Sequence, residues 1–498
     1  MGGLTGKTAW RGIVWCVASG MQIFSRVLLV LVALLFSLAT AKEQRPNVVF
    51  ILTDDQAPWA LGLSGHPHAN TPNLDKLFKQ GMWLKKAYVV TPVCSPSRTS
   101  LMTSRYGSEL GITDWIHPRN EPNLGLDPNT VTWTEAMQQS GYHTGLVGKW
   151  HLGVPDQFHP TKTGFDYFMG FRTGGNKVTN PTLEVNGENK KTEGYTYDIL
   201  TEDALKFIER NQKKTFLLCL HYRAPHTRWL PQPESDREPF DKLDPKIPNP
   251  DYPNLDVARV KRMTREYLGS VKGVDRNVGR VMKLLDDLKL AENTIVVFTS
   301  DHGYSMGHNG IWHKGNGHWV LKPPPPVTNK NIPRGQRPNM YDNSIFVPTA
   351  VRWPGHIAPG SQLDLPVANI DWYPTLLSLT GIAPPNGETI RGRNISGTLL
   401  GDKADWPDVC YGEYSTHHQS KTHMRMIRTS NWKLVRDFRN PERDELFDLK
   451  HDPAESKNVI KEKKNAGVIR ELHAMILARM RVVKDPVMKL TEANSESR

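Results

Sequence analysis

Carboxylate side chains follow two short apolar runs that are typical of buried strands. Asp54 and Asp55 close the first run, and Asp301, with His302 beside it, closes the second. Because adjacent carboxylates repel each other unless a cation or a donor neutralises them, this repeated placement indicates a site for a hard divalent cation. Ca²⁺, with Mg²⁺ as the alternative, suits such oxygen ligands. An isolated Asp-Asp pair would indicate only a solvated turn.

The second pattern is the segment TPVCSPSRTSLMT at residues 91–103, which contains Cys94. Pro96 suits the first turn of a helix that begins at Cys94, and a helix N-terminus stabilises an anion. Arg98 lies four residues after the cysteine, where it can face the same site and clamp an oxyanion. These residue types leave one alternative open, a buried cysteine that only starts a helix.

Residues 94–103 resemble the signature of the type I sulfatases of the alkaline phosphatase superfamily, in which this cysteine is oxidised to formylglycine. Other segments similar to the family follow in the same order: TDDQ at 53–56, TPNLD at 71–75, GKWHLG at 148–153, APH at 224–226, DHG at 301–303, VP at 347–348, RWPG at 352–355 and ELFDL at 445–449. The resemblance spans residues 46–458, nearly all of the chain after its leader.

The resemblance implies a sulfuric ester hydrolase whose nucleophile is the gem-diol of 3-oxoalanine (formylglycine) formed from Cys94. One hydroxyl of the gem-diol attacks sulfur and expels the alcohol, and the other helps to release sulfate and regenerates the aldehyde. Asp54, Asp55, Asp301, His302 and the modified Cys94 side chain would hold the metal, which acts as Lewis acid and template. Many relatives have Asn where His302 stands.

The same resemblance assigns further residues to the sulfate. Lys149 and His151 alternate on a strand-like segment and therefore share a face; they would contact the sulfate and the gem-diol, with His151 as the base for sulfate release. His226 would bind sulfate and protonate the leaving oxygen. Lys314 would supply the second lysine, and Lys322 competes for that role because the insertion at 316–338 disturbs the local alignment.

Five other histidines are not placed in the predicted site. One interpretation is that they line the substrate cleft, but we interpret most of them as polar surface residues: His308, His313, His318, His417 and His418.

The order of predicted elements indicates an α/β fold with a large, mainly parallel sheet sandwiched by helices, as in alkaline phosphatase. Strands are predicted at 46–53, 142–147, 215–221, 293–299 and 346–351, and helices at 73–80, 132–140, 201–210, 258–290 and 374–379. Ligands bind at the carboxyl ends of strands in such sheets, which is where the aspartates fall.

Three regions depart from this alternation. Residues 228–256 are predicted to form a surface excursion, and residues 316–338 a loop near the mouth of the site. After about residue 405, short strands and a terminal helix predict a smaller α+β domain with an antiparallel sheet. The predicted organisation is a signal peptide at 1–41, a catalytic sulfatase domain at 42–405 and a C-terminal subdomain at 406–498.

The leader carries three cations and no acid before an apolar run that ends at Ala39-Thr-Ala41, a small-x-small cleavage pattern. It predicts an exported protein, periplasmic or secreted, without stable membrane insertion after cleavage. An uncleaved anchor is the alternative. Four cysteines are too few for a disulfide scaffold, and whether Cys219 pairs with Cys410 is left open.

The formal net charge of +12 favours polyanionic partners. No cluster of Lys and Arg interleaved with aromatic residues is present, which argues against nucleic acid. The predicted partners are a sulfated carbohydrate substrate and a maturation enzyme, either formylglycine-generating or anaerobic. Three alternatives remain: a phosphate or phosphonate monoester hydrolase of the same superfamily, a non-catalytic binder of sulfated glycans, and an enzyme left immature because Cys94 is not oxidised.

Overall fold

A computed structural model of the protein describes Gly2 and residues 45–327 and 329–490. The predicted signal peptide lies outside the described residues except for Gly2. The described strands are, in chain order, β1 (Asn47–Thr53), β2 (Met82–Tyr88), β3 (His143–Lys149), β4 (Tyr167–Phe171), β5 (Thr182–Val185), β6 (Glu188–Lys191), β7 (Phe216–His221), β8 (Thr294–Ser300), β9 (Ser305–Met306), β10 (Ile311–His313), β11 (His318–Trp319), β12 (Ala350–Arg352), β13 (Gln362–Ala368), β14 (Val409–Tyr414), β15 (Met424–Thr429), β16 (Trp432–Asp437) and β17 (Glu445–Asp448).

The described α-helices alternate with these strands over most of the chain. They are α1 (Pro72–Gln80), α2 (Cys94–Thr103), α3 (Gly107–Leu110), α4 (Trp133–Gln139), α5 (Thr196–Asn211), α6 (Glu234–Asp241), α7 (Val257–Asp287), α8 (Asp342–Ile345), α9 (Trp372–Leu379), α10 (Ser396–Leu399) and α11 (Ala466–Val482). No helix of the described residues is long and apolar enough to cross a membrane.

The large sheet has ten strands in the order β13-β2-β12-β8-β1-β7-β3-β4-β5-β6. Its centre is parallel, because β1 pairs in parallel with both β7 and β8, and β3 pairs in parallel with β7 and β4. Helices cover both faces, as a parallel sheet requires. This arrangement confirms the predicted α/β class.

The alternation of side chains along β1 separates two hydrophobic cores. Phe50 packs on one face in a cluster with residues of α2, α4 and α9. Ile51 packs on the other face in a cluster with residues of α1, α5 and α7. All residues of β1 are buried, because its alternating side chains face helices on both sides of the sheet.

The antiparallel sheet predicted near the C-terminus is present as β14-β15-β16-β17, with α11 packed beside it. Its core is shared with the large sheet, because Cys410 and Ile427 belong to the same buried cluster as Tyr88 and Ile370. From Pro46 onward the described residues form one compact unit. The domain boundary at residues 405 and 406 stays a prediction.

Two predicted segments differ from the structure. The strand predicted at 346–351 is the shorter β12, which runs antiparallel to both β2 and β8. The reason is the path of the chain: residues 301–345 stay at the carboxyl edge of the sheet, so the chain re-enters it from that edge. Residues 228–256 are not only a surface excursion, because they contain α6, and Phe240 is buried against α7.

Candidate active site

Two aspartates meet because their strands are neighbours. Thr53 of β1 pairs with Ser300 of β8, so Asp54 and Asp301 leave adjacent parallel strands at the same edge. Both are fully or almost fully buried. The next residue, Asp55, has a φ of 68°, a left-handed conformation that Asp tolerates better than most residues. This turn lets consecutive carboxylates reach one pocket.

Cys94 is the first residue of α2 and is buried. Its Sγ lies 3.4 Å from His302 Nε2 and 3.6 Å from Asp54 Oδ1, and Lys314 Nζ donates to it at 3.1 Å. Burial and Asp54 favour the neutral thiol, but positive groups led by Lys149 hold the pKa of Cys94 well below its ordinary value. The start of α2 is therefore a site for an anion.

Two buried lysines neutralise the paired aspartates. Lys149 ends β3 and donates from Nζ to Asp54 Oδ2 at 2.5 Å, whereas Lys314 donates to Asp55 Oδ1 at 2.7 Å. Burial alone would raise the pKa of Asp54, but Lys149 leads the groups that hold it well below its ordinary value. Burial would lower the pKa of Lys314, and Asp55 raises it instead.

Arg98 connects the helix to both strands. Its Nε donates to Asp301 Oδ2 at 2.9 Å, and its Nη1 donates to the Lys149 carbonyl oxygen at 3.0 Å. Ser97 also donates to the Asp301 carbonyl oxygen. Arg98 is 2% exposed, and these contacts fix Asp301 and the end of β3. Its buried Nη2 has no hydrogen-bond partner among the described residues, and the predicted clamp on an oxyanion stays a prediction.

The donor set fits a divalent cation. Asp54, Cys94, Asp301 and His302 each offer a ligand atom, and these atoms all lie within 4.8 Å of one another. Two buried carboxylate oxygens, Asp301 Oδ1 and Asp55 Oδ2, accept no hydrogen bond from the described residues. An orphaned carboxylate oxygen in a buried site is costly unless a cation approaches it. The aspartate oxygens are the ligands that Ca²⁺ and Mg²⁺ prefer.

His151 has its proton position set by a carbonyl group. It follows β3 with a φ of 61°, and its Nε2 donates to the Ile116 carbonyl oxygen at 3.1 Å. Its Nδ1 is buried and has no hydrogen-bond partner among the described residues. Burial, together with Lys149, lowers the pKa of His151 to about 4. The ring is therefore neutral, with the Nδ1 lone pair free.

His226 lies on the loop that follows β7. Its Nδ1 donates to the Thr227 carbonyl oxygen, and its Nε2 lies 3.9 Å from Asp55 Oδ2. Burial lowers the pKa of His226, although Asp55 opposes this shift. The hydrogen bond at Nδ1 directs Nε2 towards Asp55.

Four of these residues line a cavity of about 470 Å³ that opens to the surface, and the other six contact those four or one another. Its lining includes Cys94, His151, His226 and Lys314, and also Trp115, Ile116, Thr173, Gly174, His313 and Asn316. The structure therefore brings together all ten residues that the sequence predicted for the site.

A sulfatase family model matches residues 46–382, and a model of the C-terminal part of N-sulphoglucosamine sulphohydrolase matches residues 336–482. The chain belongs to the sulfatase family. This finding confirms the resemblance to type I sulfatases and the class of enzyme, a sulfuric ester hydrolase.

Two curated relatives match most of this sulfatase. An N-acetylglucosamine-6-O-sulfatase of Bacteroides thetaiotaomicron is 26% identical over 529 residues, covering 89% of this chain and 88% of its own. An N-acetylgalactosamine-6-sulfatase of Homo sapiens is 30% identical over 429 residues, covering 80% of this chain and 75% of its own. A structure solved with D-glucosamine-2-N,6-O-disulfate shares the fold, with a TM-score of 0.76, 24% identity and coverage of 89% and 99%.

The geometry of the sulfatase separates the two candidate lysines. Lys322 has a side chain that is 77% exposed and pairs with Asp256 at 2.7 Å, outside the cavity. Lys314 is buried beside Cys94. The predicted loop at 316–338 does border the site, through Asn316. The described cysteines are all free, so Cys219 and Cys410 do not pair.

Sequence reasoning missed His313 in this sulfatase, which lines the cavity and was interpreted as surface. Its φ of 84° turns the ring into the site, and its Nδ1 lies 2.9 Å from Asn316 Oδ1. Its position directly before Lys314 was the available signal. The other four histidines left out of the site do not line this cavity.

Proposed function

We propose that this sulfatase hydrolyses sulfate monoesters of carbohydrates with a formylglycine derived from Cys94 as the nucleophile. The observation that carries the proposal is the position of Cys94, at the start of α2, in contact with Lys314 and beside the cavity that His151 and His226 line. Formylglycine supplies a hydrated aldehyde whose hydroxyl attacks sulfur. A sulfate ester is an anion, so the attack requires positive groups at this position.

We propose Ca²⁺ as the metal, with Mg²⁺ as the alternative, held by Asp54, Asp55, Asp301, His302 and the modified residue 94. The ion supplies Lewis-acid stabilisation of the sulfate charge. The chain itself contributes the orientation of these ligands. Arg98 fixes Asp301 through a hydrogen bond to Oδ2, and Lys149 fixes Asp54 in the same way.

The lysines and histidines have separate tasks in this proposal. Lys149 donates to Asp54 and Lys314 donates to Asp55, so both ammonium groups lie at the site. There they neutralise the charge of the sulfate oxygens. His151 is neutral with a free Nδ1, so it can accept the proton that leaves position 94 when sulfate is released. His226 donates a proton to the leaving alcohol oxygen from Nε2 as the imidazolium, because the neutral ring keeps its hydrogen at Nδ1. Asp55, whose Oδ2 lies 3.9 Å from Nε2, favours that charged form.

The carbohydrate part of the proposal is supported by the relatives and by charge. Both curated relatives are named as sulfatases of N-acetylhexosamines. The net charge of +12 attracts a polyanionic glycan. The cavity offers polar groups with one aromatic side chain, Trp115. Export to the periplasm or medium, and maturation by a formylglycine-generating or anaerobic enzyme, complete the proposal.

The mass of the peptide that contains Cys94, from protein made in its native host, tests the nucleophile. We expect this peptide to be lighter than the peptide with cysteine by the mass difference between the thiol and the aldehyde. An unmodified thiol in active protein would overturn the mechanism. The same protein is assayed with aryl sulfate, phosphate and phosphonate esters and with sulfated sugars. A preference for phosphorus would replace the sulfatase assignment by the phosphohydrolase alternative, and hydrolysis of aryl sulfate alone would remove the carbohydrate assignment.

A further inference from the structure

A second cavity adjoins the catalytic cavity. It has a volume of about 200 Å³ and shares Trp115 and Asn316 with the catalytic cavity, so these two side chains form the boundary between them. This volume is below the roughly 300–1,000 Å³ that drug-sized ligands need, so the cavity suits a single ring. We call it the side cavity.

Three segments that are distant in sequence build the side cavity. The first carries Asp114 and Trp115, the second is the insertion after Lys314, and the third is the loop after β14. Two acids join the first of these segments to the third: Asp114 accepts from Tyr414 Oη at 3.0 Å, and Glu121 pairs with His417 at 2.7 Å. The C-terminal sheet therefore contributes one wall of a cavity beside the nucleophile.

Side chains of the side cavity suit a sugar ring. A sugar has apolar C–H faces and a rim of hydroxyls, and the cavity pairs two aromatic side chains, Trp115 and Tyr414, with several amides, imidazoles and hydroxyls. The Trp115 ring is held in place against the His418 ring, with centroids 4.6 Å apart. The remaining polar lining consists of Asn316, His318, Gln336, Thr416, Gln419 and Ser420.

One buried hydroxyl in the lining lacks a partner. Ser420 is 5% exposed, and its Oγ makes no hydrogen bond with the described residues. Gln336, in contrast, donates to Gln419 Oε1 at 2.6 Å, which joins the insertion to the C-terminal loop above the cavity. A buried hydroxyl without a partner is costly, and a ligand hydroxyl at this position would satisfy it.

We propose that the side cavity binds the sugar next to the sulfated sugar, so that the preferred substrate is a sulfated oligosaccharide rather than a sulfated monosaccharide. This inference rests on the proposed function, because the sulfated sugar must occupy the catalytic cavity. Trp115 and Asn316 border both cavities and would therefore contact both sugars.

The test compares kcat/KM for two substrates. A panel of monosaccharide sulfates identifies the one that is hydrolysed fastest, and the second substrate is a disaccharide in which this sugar carries an unsulfated neighbour. We expect the disaccharide to be at least about tenfold better. Ser420→Ala and Gln336→Ala should each lower the kcat/KM ratio of disaccharide to monosaccharide by about fivefold, the effect of one hydrogen bond. The matched control is Gln212→Ala, at an exposed glutamine that follows α5, which should keep the ratio.

Two results would overturn the inference, and they are distinguishable. The first result is an equal kcat/KM for both substrates, or variants that lower kcat/KM for both substrates by the same factor. Either would show that the side cavity holds no sugar, while the proposed function stands. Failure to hydrolyse either sugar by protein that cleaves 4-nitrophenyl sulfate would overturn the inference and the carbohydrate function together. Gln336 is only partly buried, so its variant tests the cavity even where Ser420→Ala affects folding.

Discussion

Lys314 Nζ donates to Cys94 Sγ at 3.1 Å, although the two residues are 220 positions apart in the chain. The same ammonium group donates to Asp55 at 2.7 Å. Lys314 therefore connects the position of the nucleophile to a proposed metal ligand. This contact favours Lys314 over Lys322 as the second lysine of the proposed site.

Alanine at Lys314 should lower kcat by about 10²–10³-fold, the typical cost of removing one group that stabilises transition-state charge. Alanine at Lys322 is the matched control. It should leave kcat close to that of the enzyme without a substitution, because this lysine is exposed. Steady-state kinetics with 4-nitrophenyl sulfate, with thermal unfolding to verify the fold, measures both. The reverse pattern would move the role to Lys322.

Chelation of divalent cations should abolish activity, and Ca²⁺ or Mg²⁺ should restore it. Asp301→Asn should lower both the bound metal and the activity, the latter by at least about 100-fold, because a Lewis acid contributes several kcal/mol. The control is Asp203→Asn. Among the described residues, the Asp203 carboxylate accepts a hydrogen bond from Tyr167 Oη alone. Metal content by elemental mass spectrometry checks the result; full activity in metal-free protein would contradict the site.

Replacement of His226 should matter most for poor leaving groups. A sugar alkoxide needs a proton, so His226→Ala should slow hydrolysis of a sugar sulfate by about 100-fold or more. Nitrophenolate leaves without a proton, so hydrolysis of 4-nitrophenyl sulfate should be much less affected. Parallel kinetics with both esters measure the difference, and His143→Ala, at an exposed histidine of β3, is the control. Equal losses for both esters would argue against proton donation.

The close approach of β3 and β7 should require glycine at position 148. Gly148 has a φ of 123°, and a methyl group there would lie 1.9 Å from the His221 carbonyl oxygen. Gly148→Ala should therefore cost at least about 3 kcal/mol of unfolding free energy, because the strands must separate. Gly141→Ala, at a φ of 94° with open space around it, should cost only about 1–2 kcal/mol. Denaturant unfolding compares them; equal costs would exclude the clash.

Asp275 should make stability depend on pH. It accepts from the Leu74 amide at 2.7 Å and from Asn73 Nδ2 at 2.8 Å, and thereby joins α7 to α1. Burial raises the pKa of Asp275 to about 6, so the folded state holds this proton more tightly than the unfolded state. The stability that this proton contributes is fully present below about pH 4 and is lost as the pH rises through 6.

Asp275→Asn keeps an acceptor but removes the titration. We expect the loss of unfolding free energy between about pH 4 and 7 to be smaller in this variant by about 2–3 kcal/mol. Urea unfolding at both pH values measures it. Asp287→Asn, at an exposed carboxylate of α7, should leave the pH dependence unchanged. An unchanged slope in Asp275→Asn would contradict the assignment.

The sequence by itself determined the fold class, the family and the residue types of the site. Buried strands and amphipathic helices follow from local patterns of side chains, and Asp54 and Asp301 meet because parallel strands present their carboxyl ends at one edge. Only the tertiary structure placed Lys314, and not Lys322, beside Cys94, brought His313 and Asn316 to the cavity, made β12 antiparallel and formed the side cavity. These features depend on the path of residues 301–345 and of the C-terminal loops across the sheet edge. Contacts between segments so distant in sequence are set by packing and leave no periodic signal in the chain.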